Sequence, residues 1–548
     1  MTTSWEQRAA EKRARLDKAI PAEWKIQSPP AQDSLFDYPD KCGILSPKEL
    51  EITKSSASEL VPKLATGALK SVDVTLAFCK RAALAQQLVN CSHEFFPEMA
   101  LAQAKELDEY FEKHKKPVGP LHGMPISLKD QLRIKGVENC MAYVGWLGKY
   151  DTEESVLTTL LRNAGAVFYT KTSVPQTLMV CETVNNVIGR TLNPRNKNWS
   201  CGGSSGGEGA MVGIRGSTFG VGTDIGGSIR VPAAFNFLYG IRPSQGRMPY
   251  GKMANSMLGQ ETIESVVGPM AHCASDLRLF LTSVLEGEPW KYDPKVDPLP
   301  WRSNEEDAIK AKLQSGGLTL GFFNSDDNVL PHPPILRGMD IVTSTLKKNG
   351  HTLVQWKPRR HAWAVNTTNK IYAADGSTDV YARMAESGEP AIPNIQNLLN
   401  PSNPKTDLNE LWDIQRQRWD YQMEYLAQWR DLEQQLGKEL DAIVAPITPT
   451  AAIRHNQFKY YGYATVFNML DLTSVTVPVT FADKALDKKM EGYRAMNEMD
   501  AAVQDEYDPE AYHGAPVAVQ VIGRRLSEER TLAIAEEIGR LLGNSMTP

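Results

Sequence analysis

The chain has 548 residues, 42% of them apolar and 23% charged, and a formal net charge of −5. This is a globular composition, long enough for two to four domains or one large α/β domain. The acidic balance argues against a nucleic-acid-binding body, and no charge-free apolar run reaches about 18 residues, so no membrane span is expected.

The opening Met1-Thr2-Thr3-Ser4-Trp5-Glu6-Gln7-Arg8 is polar, without a signal-peptide core. A charged amphipathic helix is expected from Trp5 to Ile20, then a proline-bearing loop to about Lys41. Ser46-Pro47-Lys48-Glu49 is a capping box with proline at the first helical position, so a helix starts there. A second helix, about 57–66, stops at Gly67. A third begins after Ser71 and turns Val74, Leu76, Ala77, Phe78, Ala82 and Leu84 to the core.

Short buried strands then alternate with helices: Met124 to Leu128, a helix from Ser155 to Asn163 capped at Ala164-Gly165, and Ala166 to Tyr169. A glycine-rich turn opens a helix around 204–214, and Phe219 to Gly222 and Leu238 to Ile241 continue the series. Residues 286–316, rich in proline, tryptophan and charge, read as a surface excursion. The pattern resumes with strands at Leu318 to Phe323 and Thr352 to Val354 around a helix from Ile335 to Asn349. In a long helix, 408–436, Trp412, Trp419 and Leu426 recur every seven residues, with Met423, Leu432 and Leu436 beside them; this stripe reads as core packing. Strands at Ala442 to Pro446, Val475 to Pro478 and Val517 to Gly523 precede a closing helix from Ser527 to Leu542. The alternation predicts an α/β fold, one large domain whose central mixed, twisted sheet is covered by helices on both faces. With no linker-like stretch, the expected organisation is an N-terminal helical extension, 1–69, on a single domain, 70–548.

Seven scattered cysteines without a CxxC pair suit a reducing compartment, so a cytoplasmic location is expected. The terminal Ser545-Met546-Thr547-Pro548 carries no retention or peroxisomal address. The nine histidines contain no HExxH, and neither a metal nor a cofactor is expected. Chemistry concentrates instead in Ser200-Cys201-Gly202-Gly203-Ser204-Ser205-Gly206-Gly207-Glu208-Gly209-Ala210 and its echo Gly222-Thr223-Asp224-Ile225-Gly226-Gly227-Ser228-Ile229-Arg230. Glycines among hydroxylated residues make a turn that presents backbone N–H groups and a hydroxyl at one point, with Ser228 the candidate nucleophile. A serine needs a base. His122 and His513 have suggestive neighbours, but no GxSxG elbow is present. Lys129, ending an apolar strand, reads by composition as a salt-bridged or snorkelling side chain. Cys201 reads as a space-filler, Ser205 as a hydrogen bonder within the turn, and Thr223, Asp224 and Arg230 as loop-holding residues.

The two glycine-serine blocks resemble the signature of the amidase signature family, and Pro125-Ile126-Ser127-Leu128-Lys129-Asp130 is similar to that family's lysine motif. The separations match as well, 75 residues from Lys129 to Ser204 and 24 from Ser204 to Ser228. The similarity runs from about residue 70 to Pro516-Val517-Ala518-Val519-Gln520 and Gly523-Arg524-Arg525. The resemblance implies an amidase that makes an acyl-Ser228 intermediate, with Ser204 as bridging serine after a cis Gly203–Ser204 bond and Lys129 as terminal base. It further implies an oxyanion hole from the N–H groups of Ile225, Gly226, Gly227 and Ser228, with Leu178 lining the pocket. A small-molecule amide, short and aliphatic, is the implied partner, with no nucleic acid and no membrane; a homodimer is left open. Larger or N-substituted amides, or an inactive binding or scaffold protein, are the alternatives.

Overall fold

In this computed structural model residues 3–543 are described; the readings placed on Met1, Thr2 and Ser545-Met546-Thr547-Pro548 lie outside them. Eleven strands form one sheet: β1 (Ser92–Phe95), β2 (Pro125–Lys129), β3 (Val167–Thr172), β4 (Phe219–Asp224), β5 (Tyr239–Arg242), β6 (Val266–Ala271), β7 (Thr319–Phe322), β8 (Thr352–Gln355), β9 (Ala442–Pro446), β10 (Ser474–Phe481) and β11 (Pro516–Ile522). Their order is β1-β3-β2-β4-β6-β5-β10-β11-β9-β7-β8. β2 lies parallel to both β3 and β4, and β9-β7-β8 are parallel, while the pairs from β4 through β6, β5, β10 and β11 to β9 are antiparallel. The sheet is mixed, as expected. β2, β3, β4, β6, β9 and β11 are buried along their whole length. Strands covered on both faces read as continuous apolar runs rather than as alternation, which is why Ala442-Ile443-Val444-Ala445 is legible in the sequence.

Two strands are not. β1 is Ser-His-Glu-Phe, short and polar, and β6 carries Gly268 and Pro269, residues that normally argue against a central strand. The stretch 286–316 also departs from expectation: it contains the helix Ser303–Ser315, packed on the closing helix Glu528–Leu541. Only Ile309, with the half-buried Leu313, marks its apolar side, too sparse a stripe to read.

The N-terminal helices are held to the body by particular groups. Trp5–Lys18 buries Ala9, Lys12 and Leu16, and the Lys12 ammonium donates to Glu138 Oε1 at 2.7 Å and to Glu94. Pro47–Lys54 and Ala57–Ala65 each start with a complete capping box. Their Ile52, Leu60 and Leu64 share one apolar core with Val74, Ala77 and Phe78 of the helix Ser71–Val89.

The long helix Leu408–Leu436 has the expected bounds but the opposite face inward. Trp412, Trp419, Met423 and Leu426 are 57%, 65%, 51% and 40% exposed, so the expected core stripe is a surface stripe. Ile414, Tyr421, Tyr425, Gln428 and Trp429 are buried instead. They too repeat at about seven residues. Ile414 lies two positions from Trp412, about 200° around the helix. The buried stripe wins because its polar tips find partners: Tyr421 Oη donates to Arg359 O at 2.8 Å, Tyr425 Oη accepts from Trp356 Nε1 at 3.1 Å, and Trp429 Nε1 donates to Leu440 O at 3.1 Å.

Candidate active site

β2 and β4 are adjacent and parallel, in register Ser127↔Gly220 and Leu128↔Val221. Lys129 and Thr223-Asp224 therefore emerge at the same edge, outside the carboxyl ends of the strands, where open α/β sheets place ligands. The first glycine-serine block leads there into the helix Gly206–Gly213, and the second into the helix Arg230–Phe235. Gly203–Ser204 is a cis peptide bond, as the resemblance implies.

Lys129 Nζ lies 2.8 Å from Ser204 Oγ and 2.7 Å from Thr223 Oγ1. The direction of these bonds follows from the next shell. Thr223 gives its own proton to Gln131 Oε1 at 2.8 Å, and the Gln131 amide nitrogen donates to Tyr250 Oη at 2.6 Å and Asn255 Oδ1 at 3.2 Å. Thr223 Oγ1 can then only accept from Lys129, which leaves the lone pair of a neutral amine free for the Ser204 hydroxyl. Burial lowers the Lys129 pKa from its ordinary 10.5 to about 7, against Asp224 and Glu208, whose charges push it back up.

Asp224 holds the loop that carries Ser228. Its Oδ1 accepts the Gly227 N–H at 2.8 Å and its Oδ2 the Ile229 N–H at 3.1 Å. Burial would raise this carboxyl, but Arg230 and Asn468 override it and keep Asp224 ionised well below the usual carboxylate range. Arg230 is satisfied in turn by both Asp224 oxygens, Asn468 Oδ1 at 2.6 Å, Gln520 Oε1 at 3.0 Å and Ala464 O at 2.9 Å. Gly227 has φ +120°, and a Cβ there would meet Ala464 Cβ at 2.8 Å, so glycine is required. Tyr372 Oη donates to Ile225 O and braces the loop from the helix His361–Tyr372.

Ser204, Thr223, Ile225 and Ser228 line one cavity together with Leu178 and Met179. Its volume is about 30 Å³, counted as room for the centre of a water-sized group. A second cavity of about 410 Å³ adjoins it, sharing Asn255, Met257, Gln260 and Ser265. No hydrogen bond joins Ser228 Oγ to Ser204 Oγ, although both side chains line this cavity. Among the described residues the N–H groups of Ile225, Gly226 and Ser228 have no partner, whereas that of Gly227 is engaged by Asp224. Gly227 thus differs from its three neighbours in having its N–H already engaged.

The other sequence candidates fall elsewhere. His122 Nδ1 accepts the Val118 N–H and His513 Nδ1 that of Lys484; neither lines the cavity. Ser205 Oγ ties the turn to β4, donating to Thr223 O and accepting the Thr223 N–H, each at 3.2 Å. Cys201 is buried and its thiol is pushed up to about 12 by burial, which suits a space-filler. One group among the described residues has metal-ligand spacing, His93, Asp130 and Cys140, within 4.8 Å of one another. Asp130, however, is ion-paired with Lys171 at 2.8 Å and takes the N–H groups of Cys140 and Met141, so its oxygens already serve the protein. The sequence reading missed Gln131, which sits in the turn right after Lys129, where no periodicity marks it.

The family model described as Amidase matches residues 73–532. The chain is 69% identical over 548 residues to a protein named acetamidase from Emericella nidulans, covering 100% of both chains. It is 70% identical over 543 residues to another acetamidase, from Aspergillus oryzae, covering 99% of this chain and 100% of that one. Among solved structures, a fatty acid amide hydrolase superposes with a TM-score of 0.93 at 35% identity, over 100% of this chain and 96% of the other.

Proposed function

The chain belongs to the amidase family and is a hydrolase of amide bonds, and from that premise we propose that it cleaves short aliphatic carboxylic amides, acetamide among them, to carboxylate and ammonia through an acyl-Ser228 intermediate. One observation carries the reading: Lys129, fully buried, is hydrogen-bonded at 2.8 Å to Ser204, and Ser204 lines the same small cavity as Ser228. The names of the two acetamidases support the choice of substrate.

The amide carbonyl enters the cavity beside Ser228. Ser228 Oγ attacks the carbonyl carbon while its proton passes to Ser204 and that of Ser204 to neutral Lys129. The developing oxyanion is received by the N–H groups of Ile225, Gly226 and Ser228, while that of Gly227 stays on Asp224; losing one such donor typically costs about 3–4 kcal/mol in the barrier. The C–N bond then breaks as the proton returns through Ser204 to the leaving nitrogen, and ammonia departs. Water then attacks the acyl-Ser228 ester, passing a proton through Ser204 to Lys129; that proton returns through Ser204 to Ser228 Oγ as the ester C–O bond breaks, and the acid leaves and ionises to the carboxylate.

In this reading residues 1–69 are an extension of the catalytic domain, 70–548, and the described helices from Trp5 onward pack on that domain. The described cysteines, all unpaired, support a cytoplasmic location, and among the described residues no helix is long and apolar enough to cross a membrane.

Ammonia release across a series from acetamide upward tests the substrate class. A cavity of about 30 Å³ leaves little room beyond a short acyl group, so kcat/KM falls by about tenfold or more for each methylene past its capacity. Efficiency that instead rises through long acyl chains assigns the enzyme to larger amides that extend into the adjoining 410 Å³ cavity.

A further inference from the structure

The helix Gly206–Gly213, which begins beside Ser204 and Ser205, carries a fully buried carboxyl, Glu208, that the reaction above does not use. Its Oε2 accepts the Ser127 hydroxyl at 2.6 Å and its Oε1 the Thr172 hydroxyl at 2.8 Å. Both hydroxyls belong to the strands that hold Lys129. Ser127 is two residues before Lys129 on β2, and so on the same face; Thr172 is the register partner of Lys129 on β3. β4 makes the room, since a Cβ at Gly220 would collide with Glu208 Oε2. Among the described residues neither hydroxyl has another acceptor, and one O–H donor at each oxygen suits the ionised carboxylate.

We propose that Glu208 is a positioning residue for the Lys129 base: it fastens the helix that follows Ser204 to the strand bearing Lys129, and its charge sets the pH at which Lys129 becomes neutral. The proposal rests on the reading of Lys129 as the base.

An ionised carboxylate beside a buried amine favours the ammonium form. Lys129 faces three such influences, Asp224, Glu208 and Cys181. Asp224 is ion-paired with Arg230 at 3.1 Å, and burial pushes the Cys181 thiol up to about 12, so it stays neutral. Glu208 is the one whose charge changes in the working range. Burial raises it to about 7, against the pull of Ser127, Thr172 and Lys129. Around it, Cys91 and Tyr169 are pushed up by burial and stay protonated. Glu208 and Lys129 therefore titrate as a pair, and the acid limb of the rate belongs to both.

The test is the pH profile of kcat/KM for acetamide in the wild type, Glu208→Gln, Glu208→Asp, Thr172→Val and Lys129→Ala, with circular dichroism at each pH. Glu208→Gln keeps the shape and removes the charge, so the acid limb moves down by about one unit, together with a loss of plateau rate. Glu208→Asp keeps the charge and leaves the limb at the wild-type position. Thr172→Val removes a donor to the carboxylate, makes it easier to protonate, and moves the limb in the same direction as Glu208→Gln; it decides the matter if the glutamine variant does not fold. A limb that stays at the wild-type pH in both variants, whatever the plateau, makes Glu208 merely structural and overturns the proposal. If Lys129→Ala retains the acid limb, it is the assignment of the base that falls.

Discussion

A lysine that acts as a base must stay unprotonated near neutral pH, and the fold bears the cost. A Lys129 pKa lowered from 10.5 to about 7 destabilises the native state by about 4 kcal/mol at pH 7. The sign follows from linkage: the unfolded lysine binds a proton that the folded one does not, so the penalty is absent above pH 10.5, grows as pH falls, and is complete at about 7. Lys129→Met should thus abolish ammonia release yet raise stability at pH 7 by ~2–4 kcal/mol, allowing for the partners lost by Ser204 and Thr223. Denaturant unfolding at pH 7 and pH 10 checks this; most of the gain should vanish at the higher pH. A variant no more stable than the wild type at either pH means that Lys129 is not held neutral. Lys129, Ser204 and Ser228 stand out in the sequence as candidates because each sits inside a motif that the family resemblance marks; composition alone reads Lys129 as a salt-bridged or snorkelling side chain. Glu208 and Gln131 were not legible, although one lies within such a motif, because their contacts depend on how β2, β3 and β4 are registered.

Among the elements, the helix Leu408–Leu436 shows what a seven-residue repeat leaves undecided. It carries two stripes of that period, and spacing alone does not say which faces the body. The side chains that decide it, Tyr421, Tyr425 and Trp429, were outweighed in the sequence by two tryptophans that prove exposed. The two faces should respond differently to mutation. Trp419→Gln, at a 65% exposed position, should change stability by no more than about 0.5 kcal/mol. Trp429→Ala opens a cavity against Trp356 and Leu440 and frees a buried carbonyl, so a loss of about 3–5 kcal/mol is expected. Thermal or urea unfolding of the two variants makes the comparison. Equal losses would contradict the orientation of the helix described above. Strands with apolar runs were readable for the same reason that the helix face was not: a strand buried on both sides needs no choice of face.

On the scale of the whole molecule, the site is a product of strand order. Nine of the eleven strands could be read from sequence, but their order could not, because β2 meets β4 across about ninety residues and β6 inserts between β4 and β5. That order brings the lysine motif and both serine blocks to one edge of the sheet. The central claim is that this edge performs acyl transfer through Ser228, and covalent labelling addresses it most directly. The enzyme is treated with a serine-directed phosphonate, digested, and mapped by mass spectrometry. If Ser228 carries the acyl group, one adduct is expected, on the peptide containing Ser228, absent in Ser228→Ala and formed far more slowly in Lys129→Ala. An adduct on Cys181 or on another serine, or labelling undiminished in Ser228→Ala, would contradict that claim.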